Sequence, residues 1–135
     1  MSPFTMEVRV RLSETDALGV VYYGQYLTYF DISRLELLRA AGATIGFLKK
    51  RGLGFVAAES RCRYLSSARF DEVLTLSVHV SRVGSSSVAY AHLVKRGGKK
   101  VAEGEVTDVM VGKGGKPTKI PEDVRERLLR YKKDG

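Results

Sequence analysis

The chain has 135 residues, 44% of them hydrophobic and 28% charged, with a formal net charge of +8. That length allows a proper core and is too short for two ordinary domains, so a single domain over 1–135 is expected. The lone cysteine, Cys62, excludes an internal disulfide and a thiolate zinc site and reads as a small buried side chain. No apolar run reaches the roughly 20 residues of a membrane span, so a soluble, cytoplasmic protein without stable membrane insertion is expected.

The positive charge attracts anions of any kind, including nucleic acid, a membrane surface or a phosphorylated cofactor. The basic residues are scattered (Arg9, Arg11, Arg61, Arg63, Arg82, Lys95, Arg96, Lys99, Lys100), with no single block interleaved with aromatics, which argues against a nucleic-acid partner.

Residues 8–12 alternate strictly and predict a first strand with Val8, Val10 and Leu12 on one face. From about Tyr26 to Ala41 the period becomes helical, with Leu27, Phe30, Leu37, Leu38 and Ala41 along one stripe widened by Tyr26 and Tyr29, and Gly42 suited to the left-handed end. A basic, glycine-containing connection (Lys49 to Gly54) leads to strands over Phe55–Leu65, Val73–Ser81, Val88–Val94 and Val101–Val111, read as consecutive and antiparallel. Arg96-Gly97-Gly98-Lys99 reads as a tight hairpin. Lys113–Lys119 is a polar turn, and Pro121 opens a short last helix with Glu122 and Asp123 in its first turn. The fold class expected is α+β: a five-stranded antiparallel sheet wrapped around one long central helix, with a short C-terminal helix. Little apolar material remains for the other sheet face and the sheet edges, which predicts a homo-oligomer.

The segment from Glu14 to Tyr26 brings a short carboxylate, two glycines and several tyrosines to the entrance of the long helix. The first N–H groups of a helix lack internal partners and can polarise a carbonyl oxygen. A carboxylate facing them supplies a nucleophile or base opposite an oxyanion stabiliser, which is what acyl transfer needs. Gly19 and Gly24 would let the backbone approach a substrate closely. On spacing alone, Asp16 equally suits a turn or helix cap, helped by Ser13 and Thr15.

Three stretches carry a family likeness: Thr15-Asp16-x-x-Gly19-x-Val21-Tyr22, then Tyr26-x-x-Tyr29-Phe30-x-x-x-Arg34-x-Glu36, then Tyr64 to Leu74 followed by the turn Gly84-Ser85-Ser86. Together they resemble the hot-dog-fold acyl-CoA thioesterases. The likeness is greatest to the group that includes 4-hydroxybenzoyl-CoA thioesterase and the short-chain thioesterase associated with the Tol–Pal system. The resemblance implies hydrolysis of a small acyl-CoA, with no cofactor beyond the coenzyme A of the substrate itself. It implies Asp16 as nucleophile or general base and the Tyr23 backbone N–H as the group that polarises the carbonyl. Gly19, Val21, Tyr22, Gly24 and Tyr26 are then the substrate-binding residues, and Arg61, Arg63, Arg82, Ser85 and Ser86 the candidates for the nucleotide, where arginine forks and hydroxyls suit phosphate. A dimer or tetramer of hot-dog dimers is implied as well. Tyr23 stands where many relatives have histidine, Gln25 where they have asparagine and Ser67 where proline is usual, so no mechanism that needs that histidine is available here.

No other catalytic set competes. The run Gly84-Ser85-Ser86-Ser87 is not a nucleophile elbow, and two histidines on different strands are too few for a metal site, so no metal is expected. His79 reads as a solvated residue on a sheet face and His92 as a packed, hydrogen-bonded imidazole, while Arg34 and Glu36 read as a structural pair. The competing readings are a non-catalytic acyl-CoA-binding hot-dog protein and a basic polyanion-binding module; a dehydratase is disfavoured because no histidine lies near the loop.

Overall fold

In the computed structural model, which describes residues 3–133, the alternation seen in the sequence becomes a sheet with one apolar face. The strands are β1 (Phe4–Arg9), β2 (Gly54–Tyr64), β3 (Val73–Val83), β4 (Ser87–Arg96) and β5 (Lys99–Val111). The helices are α1 (Gln25–Ala41), α2 (Ile45–Lys50) and α3 (Glu122–Leu129). All strand pairs are antiparallel, in the order β1-β3-β4-β5-β2. Leu74, Leu76, Val78 and Val80 of β3 turn inward and are fully buried, each removal of such a side chain from water contributing about 1.5–3 kcal/mol. This is the hot-dog arrangement, with α1 lying on the inner face of the sheet.

Three expectations need correction. The first strand runs Phe4–Arg9, because its ladder partner β3 begins at Val73 opposite Arg9; beyond it only Val10 still bonds across, donating to the Glu72 carbonyl and accepting from the Asp71 N–H, before the chain turns at Leu12. Val8 and Val10 do face inward, but Leu12 enters a single 3-10 turn and is exposed. The run of consecutive antiparallel neighbours holds for β3, β4 and β5, whereas β2 lies beyond β5, since β1 already occupies the other edge of β3. The basic connection is preceded by a helix, α2, which ends in Lys49 and Lys50 and whose N-cap Thr44 accepts a hydrogen bond from the Phe47 N–H at 3.1 Å.

Helix α1 ends as expected at Gly42, which has φ 77°. Its buried stripe is Tyr26, Tyr29, Phe30, Ser33, Arg34, Leu37, Leu38 and Ala41. Leu27 lies off this stripe and is 39% exposed, and Arg34 occupies its middle. The expected Arg34–Glu36 pair does not form: Arg34 pairs with Asp31 and Asp108, and Glu36 with Arg39. The stripe divides the core in two. Tyr26, Tyr29 and Phe30 pack with Val10, Val21 and Ala68 at one end, and Leu37 and Leu38 pack with α2 and α3 at the other. Among the described residues no helix is long and apolar enough to cross a membrane.

Candidate active site

The loop between β1 and α1 is a small hairpin. The Asp16 N–H donates to the Val20 carbonyl at 2.8 Å, Thr15 bridges Val21, and the Tyr22 N–H donates to the Glu14 carbonyl at 2.9 Å. Gly19 closes the turn at φ 80°, a conformation that favours glycine, and its N–H donates to the Asp16 carbonyl at 2.9 Å. The hairpin is tied to the connection between β2 and β3 through the Val21 N–H, which donates to the Ala68 carbonyl, and through a bridge between Val20 and Arg69.

Within this hairpin the Asp16 carboxylate is exposed. Its Oδ1 accepts from the N–H groups of Leu18 (2.9 Å) and Val20 (3.4 Å), the turn-capping arrangement that spacing alone allowed. Among the described residues its Oδ2 has no hydrogen-bond partner. Three residues beyond Val20, roughly 10 Å at strand spacing, Tyr23 sits at the entrance of α1. The Gln25 N–H turns back to the Tyr22 carbonyl, but among the described residues the N–H groups of Tyr23 and Gly24 have no acceptor within the protein. The helix also lacks a side-chain cap and has no acidic residue in its first turn. A half-charge of positive sign at an uncapped helix start therefore opens onto the same loop as a carboxylate. A Cβ at Gly24 would lie 2.7 Å from the ring of the exposed Tyr22, so any side chain there would push that ring aside.

Aromatic rings wall one side. Tyr23 packs on Tyr22 with centroids 4.6 Å apart and lies edge-on to Tyr64 at 6.3 Å, and Tyr64 in turn meets Tyr26 at 5.7 Å. Burial, with a contribution from Cys62, pushes the Tyr26 hydroxyl up to about 12, so it stays protonated. The half-buried Cys62 thiol is likewise raised by burial. Leu18, Tyr22, Tyr23, Tyr64 and Leu65 are all exposed, so in the single chain the carboxylate and the amides sit on an open apolar surface. Val21 and Tyr26, the other candidates of the loop, are core residues behind it.

The nucleotide candidates lie elsewhere in the chain. Arg61 and Arg63 project from the outer face of β2 and pair with Glu105 and Glu103, each at 3.4 Å, while the alternate residues Cys62 and Tyr64 face the helix side. Arg82, Ser85 and Ser86 are at the β3–β4 turn, the length of β3 away from the Ala68–Asp71 segment that supports the loop, roughly 30 Å by strand rise. That turn is pinned by Arg125 of α3, which donates to the Gly84 carbonyl at 2.6 Å. His79 lies half-buried on the outer face, and His92 is buried against Phe30.

Two residues at the site were not singled out from the sequence. Arg69 is exposed and its guanidinium rests beside Gly19, 3.6 Å from where a Cβ would be. Glu14 is buried beneath the hairpin. The alternation around Glu14 gave no cue, because the chain has already left the strand there; for Arg69, the run Ser67 to Asp71 belonged to the family likeness without a role for the arginine.

The family model of the thioesterase-like superfamily matches residues 10–128. The chain belongs to this family. The thioesterase-like chain is 31% identical over 124 residues to "Acyl-CoA thioesterase YbgC" of Haemophilus influenzae, covering 90% of this chain and 91% of that protein. It is 30% identical over 126 residues to a "Putative esterase" of Aquifex aeolicus, covering 93% and 98% of the two chains. Among solved structures, a hypothetical protein of Aquifex aeolicus superposes with a TM-score of 0.89 at 29% identity, covering 93% of this chain and 99% of that one. A probable thioesterase from Bartonella henselae gives 0.84 at 26% identity, with 89% and 100% covered.

Proposed function

We propose that the protein is a cytoplasmic hydrolase of small acyl-CoA thioesters, with the scissile carbonyl held between the Asp16 carboxylate and the N–H groups at Tyr23 and Gly24. The observation that carries this reading is that one loop holds both a pair of amides at an uncapped helix start and a carboxylate oxygen that, among the described residues, have no hydrogen-bond partner. The names of the relatives in Haemophilus influenzae and Bartonella henselae support the same chemistry.

The carbonyl oxygen accepts from the Tyr23 N–H, which stabilises the negative charge that builds on it. Asp16 then acts in one of two ways. It attacks the carbonyl carbon, the C–S bond breaks, coenzyme A leaves as the thiolate, and water cleaves the resulting mixed anhydride. Alternatively it takes a proton from a water that attacks the same carbon. Either route returns free acid and thiol. Because the site is open on one side, a second copy of the chain is the proposed cover, with the acyl group between protomers in a dimer or a tetramer of dimers. Any contact of Arg82, Ser85 or Ser86 with the nucleotide then comes from a different protomer than the Asp16 it serves.

Thiol release from short, long and aromatic acyl-CoAs tests the reading and ranks the acyl groups. Asp16→Asn keeps the shape and removes the basicity, so kcat is expected to fall on the order of 100- to 10,000-fold. A folded variant that stays nearly as active removes Asp16 from the mechanism. No thiol release from any acyl-CoA, together with salt-sensitive binding to polyanions, supports the binding-module alternative instead.

A further inference from the structure

Among the described residues Glu14 is one of two buried carboxylates, and both of its oxygens accept hydrogen bonds. Oε1 accepts from the Arg11 N–H and from the Tyr29 hydroxyl, both at 2.9 Å. Oε2 accepts from Arg11 Nε at 3.0 Å and from Gln25 Nε2 at 3.3 Å, with Arg11 Nη2 also at 3.0 Å. An ionised carboxylate buried without such partners would cost several kcal/mol, so the arrangement specifies the charged form in one geometry. Burial alone would raise its pKa, but the Arg11 N–H, the Tyr29 hydroxyl and the Arg11 guanidinium together hold it below the ordinary carboxylate value.

The placement of these partners gives the group its meaning. Gln25 and Tyr29 are four apart and share a face of the first two turns of α1, whereas Arg11 and Glu14 belong to the turn that leads into the hairpin. The Glu14 backbone carbonyl also receives the Tyr22 N–H. One side chain therefore joins the segment carrying Asp16 to the helix start carrying the Tyr23 and Gly24 amides, without touching either. We infer that Glu14 is a positioning residue for the hydrolysis proposed above, fixing the separation between the Asp16 carboxylate and the polarising amides.

The inference rests on that hydrolytic reading, and displacement of a reacting group by about 1 Å costs on the order of 100-fold. In Glu14→Gln the amide cannot accept the bonds that one oxygen received, so the strut loosens while the shape is kept. Glu14→Gln is expected to lower kcat for thiol release on the order of 10- to 100-fold with KM within about threefold, and Tyr29→Phe to lower it by a smaller factor in the same direction. The double variant Glu14→Gln/Asp16→Asn should be no slower than Asp16→Asn alone, because positioning a group already removed has no value. A kcat within about twofold of wild type for Glu14→Gln, or a loss that multiplies with that of Asp16→Asn, overturns the positioning role and leaves the hydrolytic reading intact. If Glu14→Gln does not fold, Tyr29→Phe decides, and an unchanged kcat overturns the proposal. A wild-type protein that releases no thiol overturns both readings.

Discussion

Arg34 stands in the middle of the buried stripe of α1, where the period of the helix asks for an aliphatic side chain. It is kept there by charge: it pairs with Asp31, its Nε lies 3.4 Å from Asp108, and Nη1 lies 3.4 Å from Nε2 of His92. His92 is stacked on Phe30 with centroids 4.4 Å apart and reaches Ser33 at 3.5 Å. Burial first, and then the Arg34 charge and His79, bring the His92 pKa down to about 3, so the imidazole is neutral in the folded protein. The unfolded chain binds that proton near pH 6.5, so stability falls as the pH drops from about 6.5 toward 3, by at most about 1.4 kcal/mol per pH unit from this group. Asp108 acts in the opposite sense. Its pKa is raised by burial against the pull of Arg34, so the folded state takes up its proton before the unfolded state does as the pH falls, and it offsets part of the loss. Urea unfolding of His92→Gln between pH 7 and pH 4.5 is expected to show a flatter acid limb than wild type; parallel curves would mean that the imidazole is charged in the fold.

At the scale of elements, the approach of α1 to the sheet depends on Gly104. A Cβ there would overlap the Arg61 carbonyl of β2 and lie 2.8 Å from the Phe30 ring, so either the β2–β5 ladder opens or the helix lifts. Gly104→Ala is expected to cost about 1–3 kcal/mol or more and to lower Tm on the order of 10 °C. Gly46, in α2, has nothing within 4 Å of the same position, so Gly46→Ala should be neutral or stabilising by up to about 1 kcal/mol. Equal melting temperatures for the two variants would remove this packing argument. The same contrast explains what the sequence reveals. Period alone located α1 and the alternating β3, because each repeats its pattern over many residues. Helix α2 has six residues, too few for a period, and only Thr44 marks it. The place of β2 beside β5 is set by contacts between distant parts of the chain, to which alternation is blind. At the site, the Asp16 loop could be read because its residues are contiguous. The Tyr64 wall, the Arg69 contact and the Glu14 strut are assembled by folding, and polar residues in a loop carry no sign of burial.

The whole molecule leaves one long edge open. Strand β2 has 11 residues, most of them exposed, and among the described residues nothing pairs with its outer side. Beside it lies a groove of about 320 Å³ lined by Asp31, Arg34, Leu35, Ile45 and Phe55, with Leu27, Leu35, Ile45 and Val56 exposed around it. Unprotected edges of this kind recruit another strand, and in the hydrolytic reading proposed above the same partner covers the open side of the Asp16 loop. Ala58 offers a way to test this, because the register between β2 and β5 slips at this residue and leaves it without a partner in β5. Proline at such a bulge removes an N–H from the edge at little cost to the intrachain ladder. Wild type is expected to sediment as a dimer or tetramer, and Ala58→Pro as a folded monomer that has lost thiol release along with its partner. A monomeric variant with full activity would show that the loop and the helix start suffice alone, and a variant that keeps both its mass and its activity would place the cover on another surface.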